Sequence, residues 1–257
     1  MNISTQNQEH FPQNMNDKLA RIKELGYDSY EIDGKLLLTS LAEAKRAVTL
    51  TGLPIATACG GYEGHIGDYD ESRRQRAIQE IGAILDALQE VGGHGMVVPA
   101  GWGLHEHAAT RTPAEDFAVL SDSLRRLEAV AESTGTYIYL EPLNQKEDHL
   151  LNTLTQARQL IVENQLDRVK IMADFYHMNL EEADIEQALR DNAEYLGHIH
   201  LADHHRYQPG SGNLNFPHFL EVLEELGYTG DLAFECSIEG DDPDQAIRES
   251  LAYLRGQ

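Results

Sequence analysis

The segment YIYLEPLN, residues 137–144, contains a short apolar run, 137–140, followed at once by the carboxylate of Glu141. Comparable short runs recur along the chain, and segments in which apolar residues have helical spacing separate them. Seven such runs predict strands, at 30–32, 55–59, 96–99, 137–140, 169–173, 198–201 and 232–234. Because strands and helices alternate strictly, we expect a parallel sheet covered by helices.

The helical segments complete this pattern. They are 17–25, 41–50, 72–91, 114–133, 153–163, 182–193, 216–226 and 244–254. Glycines mark the ends of several helices, namely Gly26, Gly52, Gly92, Gly135 and Gly227.

An eighth strand is expected in the polar start, at about residues 2–6. No glycine-rich phosphate turn follows the first strand, which argues against an open doubly wound sheet. Residues 1–257 therefore predict one α/β domain, a (β/α)8 TIM barrel.

The composition of the chain excludes some classes of binding partner. The chain has 43 acidic and 20 basic side chains, a formal net charge of −23. Nucleic acids are normally bound by clustered lysines and arginines, so we expect no nucleic-acid partner. No apolar stretch approaches the length of a membrane helix and the start does not resemble a leader, so we expect no membrane partner and a cytoplasmic location. Cys59 and Cys236 lack metal-binding spacing and are expected to be reduced thiols.

Four chemically active side chains stand at the ends of the last four predicted strands. They are Glu141, Asp174, His200 and Glu235. Active sites of TIM barrels lie at the carboxyl ends of the strands. The apolar neighbours of these residues must face the helices, so period-two alternation turns the four side chains towards the barrel axis.

Three carboxylates at one buried place repel one another unless a cation balances them. We therefore predict that Glu141, Asp174, His200 and Glu235 bind one divalent metal ion. Oxygen ligands with one imidazole suit Mn²⁺ first, with Mg²⁺, Co²⁺ or Zn²⁺ as alternatives.

The order of these residues resembles a known family. Glu141 is followed after 33 residues by Asp174, which begins an Asp-x-x-His motif ending at His177; His200 and Glu235 follow after 26 and 35 residues. This arrangement resembles the xylose isomerase-like barrels called sugar phosphate isomerases/epimerases, which include ketose 3-epimerases and hydroxypyruvate isomerases. The runs PGSGNLNF (209–216) and GYTGDLAFE (227–235) are also similar to that family. The resemblance is close from about residue 80 to the end and looser before it.

The resemblance implies a metal-dependent isomerase or epimerase acting on a sugar or a small keto-acid. Substrate oxygens would chelate the ion, a cis-enediolate would form, and Glu141 and Glu235 would act as the catalytic acid and base. It also implies substrate contacts from Glu147, His177 and Arg206, and a possible homo-oligomer, either a dimer or a tetramer.

Loop position suggests further contacts. Trp102 and His65 follow predicted strands and are expected to line the substrate pocket. His105 and His107 are further candidates, on loop location alone. His198 is expected to pack beneath His200, and Asp203 to orient Arg206.

Other functions share these residues. The same proton abstraction can begin an elimination, so a metal-dependent dehydratase or lyase acting on a keto-sugar, a keto-inositol or an oxidised glycoside remains an alternative. A non-catalytic sugar-binding barrel is a second alternative. An endonuclease IV-type nuclease is disfavoured, because such three-zinc sites use a histidine at the end of strand four, where this chain reads VVPAG, and an Asp-x-His motif that the PGSGNLNF run lacks. The net charge of −23 also argues against DNA as a substrate.

Overall fold

Eight short parallel strands close into a barrel in the computed structural model, which describes residues 1–105 and 110–256. The strands are β1 (Asn2–Thr5), β2 (Ser29–Asp33), β3 (Ile55–Cys59), β4 (Gly95–Pro99), β5 (Tyr137–Glu141), β6 (Val169–Asp174), β7 (Leu196–Leu201) and β8 (Asp231–Phe234). They follow one another around the barrel in chain order, and β1 closes the circle against β8 with Thr5 opposite Phe234. The predicted TIM barrel and its polar first strand are confirmed.

Helices cover the outside of this barrel. Within the described residues they are α1 (Met15–Leu25), α2 (Gly34–Thr51), α3 (Glu71–Glu90), α4 (Pro113–Thr134), α5 (Leu154–Asn164), α6 (Phe175–Glu181), α7 (Ile185–Asn192), α8 (Phe216–Glu225) and α9 (Pro243–Leu254). None of these helices is long and apolar enough to span a bilayer.

Side-chain caps set where the helices begin and end. Thr112 and Glu115 form a reciprocal capping box at the start of α4. At its end Gly135 adopts φ 71°, a left-handed conformation that favours glycine, and its N–H closes the last turn. The other glycines predicted to end helices also have positive φ. The helix ends predicted at these glycines are confirmed.

The segment after β6 differs from the prediction of one helix over 182–193. The chain forms α6 immediately after the strand and then α7, with a short 3-10 turn at 193–195. Asp174 explains the early start, because its Oδ1 accepts hydrogen bonds from the N–H groups of Tyr176 (2.7 Å) and His177 (3.3 Å). The cap places His177 on the first turn of α6, beside the barrel mouth.

Alternating residues of the strands pack in two layers. Ile171, Ile199 and Leu232 belong to the core between the barrel and the helices. A small inner cluster of Val97, Tyr139 and Met172 fills the barrel itself. The predicted directions of the strand residues are confirmed, and the polar side chains are left at the carboxyl end.

Candidate metal centre at the carboxyl end of the barrel

The four predicted ligands meet at one place. Glu141, Asp174, His200 and Glu235 each offer one ligand atom, and these atoms all lie within 4.8 Å of one another. Glu141 and Asp174 end β5 and β6, His200 lies in β7, and Glu235 follows β8 directly. Neighbouring strands fix part of this arrangement, since Asp174 pairs in register with His200.

Glu235 has the densest set of partners. Its Oε1 accepts a hydrogen bond from Gln6 Nε2 (3.0 Å), and its Oε2 lies 3.0 Å from His200 Nδ1 and contacts the Arg206 guanidinium. Burial would raise the pKa of Glu235, but the positive charges of His200 and Arg206 outweigh it and hold that pKa below its usual range.

Glu141 has a different environment. It is buried, and His177 Nε2 lies 3.8 Å from its Oε1. Burial first, and then the negative charge of Glu235, raise the pKa of Glu141 well above its usual value. The site therefore contains more carboxylate than its cations balance.

The donor set fits a divalent cation. Three carboxylates and one imidazole provide the oxygen-rich ligands that hard or borderline metals prefer. A cation among them would offset the repulsion that raises the pKa of Glu141. The chain thus has a candidate metal-binding cluster.

Glu31 is a site residue that the sequence reasoning missed. It lies on β2 and is 1% exposed, with Oε1 2.8 Å from His200 Nε2 and Oε2 2.8 Å from His198 Nε2. The charges of His200 and His198 hold its pKa well below the usual value although burial opposes them. The signal was present, because Glu31 stands between Tyr30 and Ile32 on a buried strand and must point inward by the same alternation.

The cavity above the cluster contains all five residues predicted to contact substrate. Its volume is about 240 Å³. These five lining residues are His65, Trp102, Glu147, His177 and Arg206, and their contact with substrate stays a prediction. The indole of Trp102 forms part of the exposed rim, at 64% exposure. His105 belongs to the loop between β4 and α4, and His107 lies outside the described residues.

Asn144 organises two of these lining residues. Its Nδ2 lies 2.8 Å from His177 Nδ1 and 2.9 Å from Glu147 Oε1, and its backbone N–H donates to His177 Nδ1 (3.2 Å). Because His177 Nδ1 accepts, its Nε2 is the protonated nitrogen, and Nε2 is the atom that faces Glu141. No sequence pattern around Asn144 predicts this role.

Arg206 lies over the cluster in a strained conformation. Its φ of 66° is unusual for a residue with a side chain, and its guanidinium stacks 4.8 Å from the centre of the Tyr176 ring. Nη1 donates to Asp174 Oδ2 (2.6 Å) and Nη2 to Glu235 Oε2. The guanidinium thus joins two members of the cluster.

The expectation that Asp203 orients Arg206 is wrong for its side chain. Asp203 instead accepts hydrogen bonds from the backbone N–H groups of residues 204, 212, 213 and 214. It therefore holds the loop after β7, and Arg206 donates only its backbone N–H to the Asp203 carbonyl (2.8 Å). The acceptor geometry of a buried carboxylate favours several backbone donors over one distant guanidinium.

Known proteins resemble this chain along its whole length. The xylose isomerase-like TIM barrel family matches residues 19–257. The 3-dehydro-D-guloside 4-epimerase of Escherichia coli K12 is 53% identical over 260 residues, which cover 99% of each chain. The L-ribulose 3-epimerase of Mesorhizobium japonicum is 30% identical over 244 residues, or 92% of this chain and 80% of the relative. The crystal structure of 3-keto-D-glucoside 4-epimerase from E. coli superposes with a TM-score of 0.97, at 53% identity and full coverage of both chains.

These similarities confirm two predictions made from the strand-end residues. The predicted family is confirmed, and so is the predicted class of enzyme, a sugar epimerase or isomerase. A metal-binding cluster at the predicted position agrees with that class.

Proposed function

The chain belongs to the xylose isomerase-like TIM barrel family, and on that basis we propose that it is a metal-dependent epimerase that inverts C4 of a 3-keto-hexoside. The observation that carries this proposal is the 53% identity, over nearly all of both chains, to a 3-dehydro-D-guloside 4-epimerase. The four clustered ligand atoms at the barrel mouth support the metal dependence.

The chemistry follows from the position of the ketone. The hydrogen on C4 is acidic because C4 is next to the C3 carbonyl, and its removal leaves a planar carbon that can be reprotonated on either face. Return of the proton to the other face converts a 3-keto-glucoside into a 3-dehydro-guloside. Glu141, Asp174, His200 and Glu235 would hold the ion, and we propose Mn²⁺. When bound, such an ion supplies a Lewis acid for the substrate oxygens.

Inversion needs a proton carrier on each side of C4. Glu141 and Glu235 reach the cavity from β5 and β8, which are three strands apart around the barrel. We assign them as the pair, one removing the C4 proton and the other returning one.

The remaining lining residues position the sugar. His177 presents its Nε2–H to the site because Asn144 fixes the ring, and Glu147 is held by the same amide. Arg206 can donate to a substrate oxygen from its place over the cluster. The indole of Trp102 at the rim, with His65, provides a surface for the sugar ring or its aglycone.

Two broader proposals accompany the enzyme. We propose a homo-oligomer, a dimer or a tetramer, in line with the resemblance that the sequence shows. We propose a cytoplasmic location, with Cys59 and Cys236 as free thiols.

The test is proton exchange in D₂O. Protein loaded with Mn²⁺ and given methyl 3-keto-D-glucoside should incorporate deuterium at C4 and form the 4-epimer, as read by NMR after removal of the protein. L-Ribulose is the comparison substrate, and exchange confined to its C3 would replace our substrate by a ketose. Loss of water or of the aglycone without C4 exchange would favour the elimination alternative, and no exchange on either substrate would overturn the epimerase proposal and favour a sugar-binding protein.

A matched variant provides the control for this test. Glu239 is an exposed carboxylate four residues beyond Glu235, so Glu239→Gln makes the same chemical change outside the cavity. This variant should exchange C4 at the wild-type rate.

A further inference from the structure

Glu31 lies beneath the candidate metal centre with polar groups against both of its carboxylate oxygens. Oε1 is 2.8 Å from His200 Nε2 and accepts from Gln6 Nε2 (2.9 Å). Oε2 is 2.8 Å from His198 Nε2 and accepts from Thr57 Oγ1 (2.7 Å). Three hydrogen bonds and the close approach of His198 therefore surround the two oxygens of this carboxylate.

This arrangement determines how His200 can meet a cation. An ionised carboxylate only accepts, so each His200 nitrogen that lies beside a carboxylate presents an N–H to it. Nε2 lies against Glu31 (2.8 Å), away from the four-residue cluster, whereas Nδ1 faces Glu235 Oε2 (3.0 Å) and Asp174 Oδ2 (3.8 Å) within it. A metal ion in the cluster would take the place of the proton on Nδ1, so Nδ1 is the ligand atom and Nε2 keeps its proton on Glu31.

We propose that Glu31 is a positioning residue that sets the ring orientation and tautomer of His200 for the divalent cation, an inference that rests on the metal centre proposed above. A carboxylate that receives the second N–H of a ligating histidine fixes the ring and increases the basicity of its ligand atom. Glu31 does this from β2, a strand that contributes no member of the four-residue cluster.

Gln6 connects Glu31 to Glu235, the member of the cluster that follows β8. Its Nε2 donates to Glu31 Oε1 (2.9 Å) and to Glu235 Oε1 (3.0 Å), so one amide joins the two carboxylates. Gln6 follows β1, and its backbone N–H donates to the Phe234 carbonyl (3.0 Å) where β1 closes the barrel. Residues of the first two strands thereby orient ligands that belong to the last two.

A second metal site is the competing explanation. Glu31, His198 and His200 also offer ligand atoms within 4.8 Å of one another. Thr57 and Gln6 already donate to the two Glu31 oxygens, however, and a cation there would have to displace these donors. We therefore infer one ion per chain, at the outer cluster.

The first test compares metal affinities. For Glu31→Ala we expect the Kd for Mn²⁺, measured by calorimetry, to rise about 10- to 100-fold. Glu31→Gln should recover most of this loss, because the amide oxygen can still accept from His200 Nε2. The matched control is Asp231→Ala, which removes another buried carboxylate paired with a histidine but at the opposite end of the barrel. Its Kd should stay within about twofold of wild type, since it lies outside the metal's surroundings.

Three outcomes are decisive. A folded Glu31→Ala protein with wild-type affinity would overturn the positioning role and leave the metal centre intact. Two ions per wild-type chain, with one lost in Glu31→Ala, would make Glu31 a ligand and also overturn it. Failure of the wild-type chain to bind Mn²⁺ would overturn the metal centre and this inference together.

A measurement on the wild-type chain avoids any folding defect of the variants. Protein labelled with ¹⁵N-histidine and loaded with diamagnetic Zn²⁺ should show His200 protonated on Nε2, with the metal-induced shift on Nδ1, in long-range ¹H–¹⁵N spectra. A proton on Nδ1 would overturn the proposal.

Discussion

The two ends of the barrel use the same residue types with opposite results. At the amino end, buried Asp231 lies 2.7 Å from His94 Nε2 and 3.1 Å from Ser29 Oγ, while the Tyr139 hydroxyl lies 2.8 Å from His94 Nδ1. One carboxylate there meets one histidine and one hydroxyl group, and the histidine meets a second hydroxyl group. At the carboxyl end, three carboxylates and His200 share one small volume.

This difference in charge balance distinguishes a structural cluster of polar side chains from a candidate metal site. At the amino end the side chains of Asp231, His94, Ser29 and Tyr139 each have a polar partner within the group, and the Tyr139 ring closes the barrel by stacking on His198. The carboxyl end keeps excess negative charge beside an open cavity, an arrangement that costs stability unless a cation or substrate completes it. Burial and residue type alone would not distinguish them.

The greatest loss of activity is expected for a substitution at the carboxyl end. Glu235→Gln removes a proton carrier and an anionic ligand in one change, so we expect deuterium uptake at C4 to fall by about 10³-fold or more. NMR in D₂O measures the uptake. Asp231→Asn makes the same carboxylate-to-amide change at the amino end and should exchange normally. A Glu235→Gln enzyme with a tenth of the wild-type rate would contradict our assignment.

A smaller loss of activity is expected for substitution of Arg206. Among described residues only Arg206 and Gln165 combine a side chain with positive φ, and they lie at opposite ends of the barrel. Arg206→Gly relaxes the backbone but removes the guanidinium that joins Asp174 to Glu235. We expect kcat/KM to fall about 100-fold, because the carboxylates lose the group that fixes them. Steady-state kinetics with unchanged kcat/KM would show that the guanidinium is dispensable.

Asp231 tests the amino end by stability. Asp231→Asn should lower the free energy of unfolding by about 1–3 kcal/mol at neutral pH, because His94 and Ser29 lose an anionic acceptor. Although burial opposes it, the contact with His94 lowers the pKa of Asp231 below 3.8. The carboxylate's contribution is therefore complete above that pH and is lost as pH falls through the lowered value. Urea unfolding should show the difference from wild type narrowing in acid; a constant difference would contradict the ionic origin.

The smallest effect is expected at Gln165, which ends α5 at the amino end with φ 54°. Gln165→Gly should raise the free energy of unfolding by about 0.5–1 kcal/mol, because glycine adopts this conformation without strain. Urea unfolding measures the gain, and C4 exchange should be unchanged. A loss of activity would mean that the amino end also serves catalysis.

Much of the fold was predictable because its signals are local. Strand runs, helix-ending glycines and alternation depend on neighbouring residues, and they located β1 to β8 within a few positions. The boundary after β6 was missed, since Asp174 serves both as a cluster member and as the cap of α6. One side chain with two roles leaves a pattern that periodicity alone does not resolve.

The candidate site also has residues that were predictable from the sequence and residues that were not. The four strand-end residues could be identified from the sequence, because each is an inward, polar residue beside apolar neighbours. The contacts that support them required the folded chain: Glu31 with His200, Gln6 with both Glu31 and Glu235, and Asn144 with His177. The contacts of Gln6 with Glu235 and of Glu31 with His200 depend on barrel closure, since the register of β1 on β8 and the inward direction of β2 bring together residues 229 and 169 positions apart. Asn144 lies after β5 and meets His177 on α6, 33 positions along the chain, and no local pattern encodes any of these contacts.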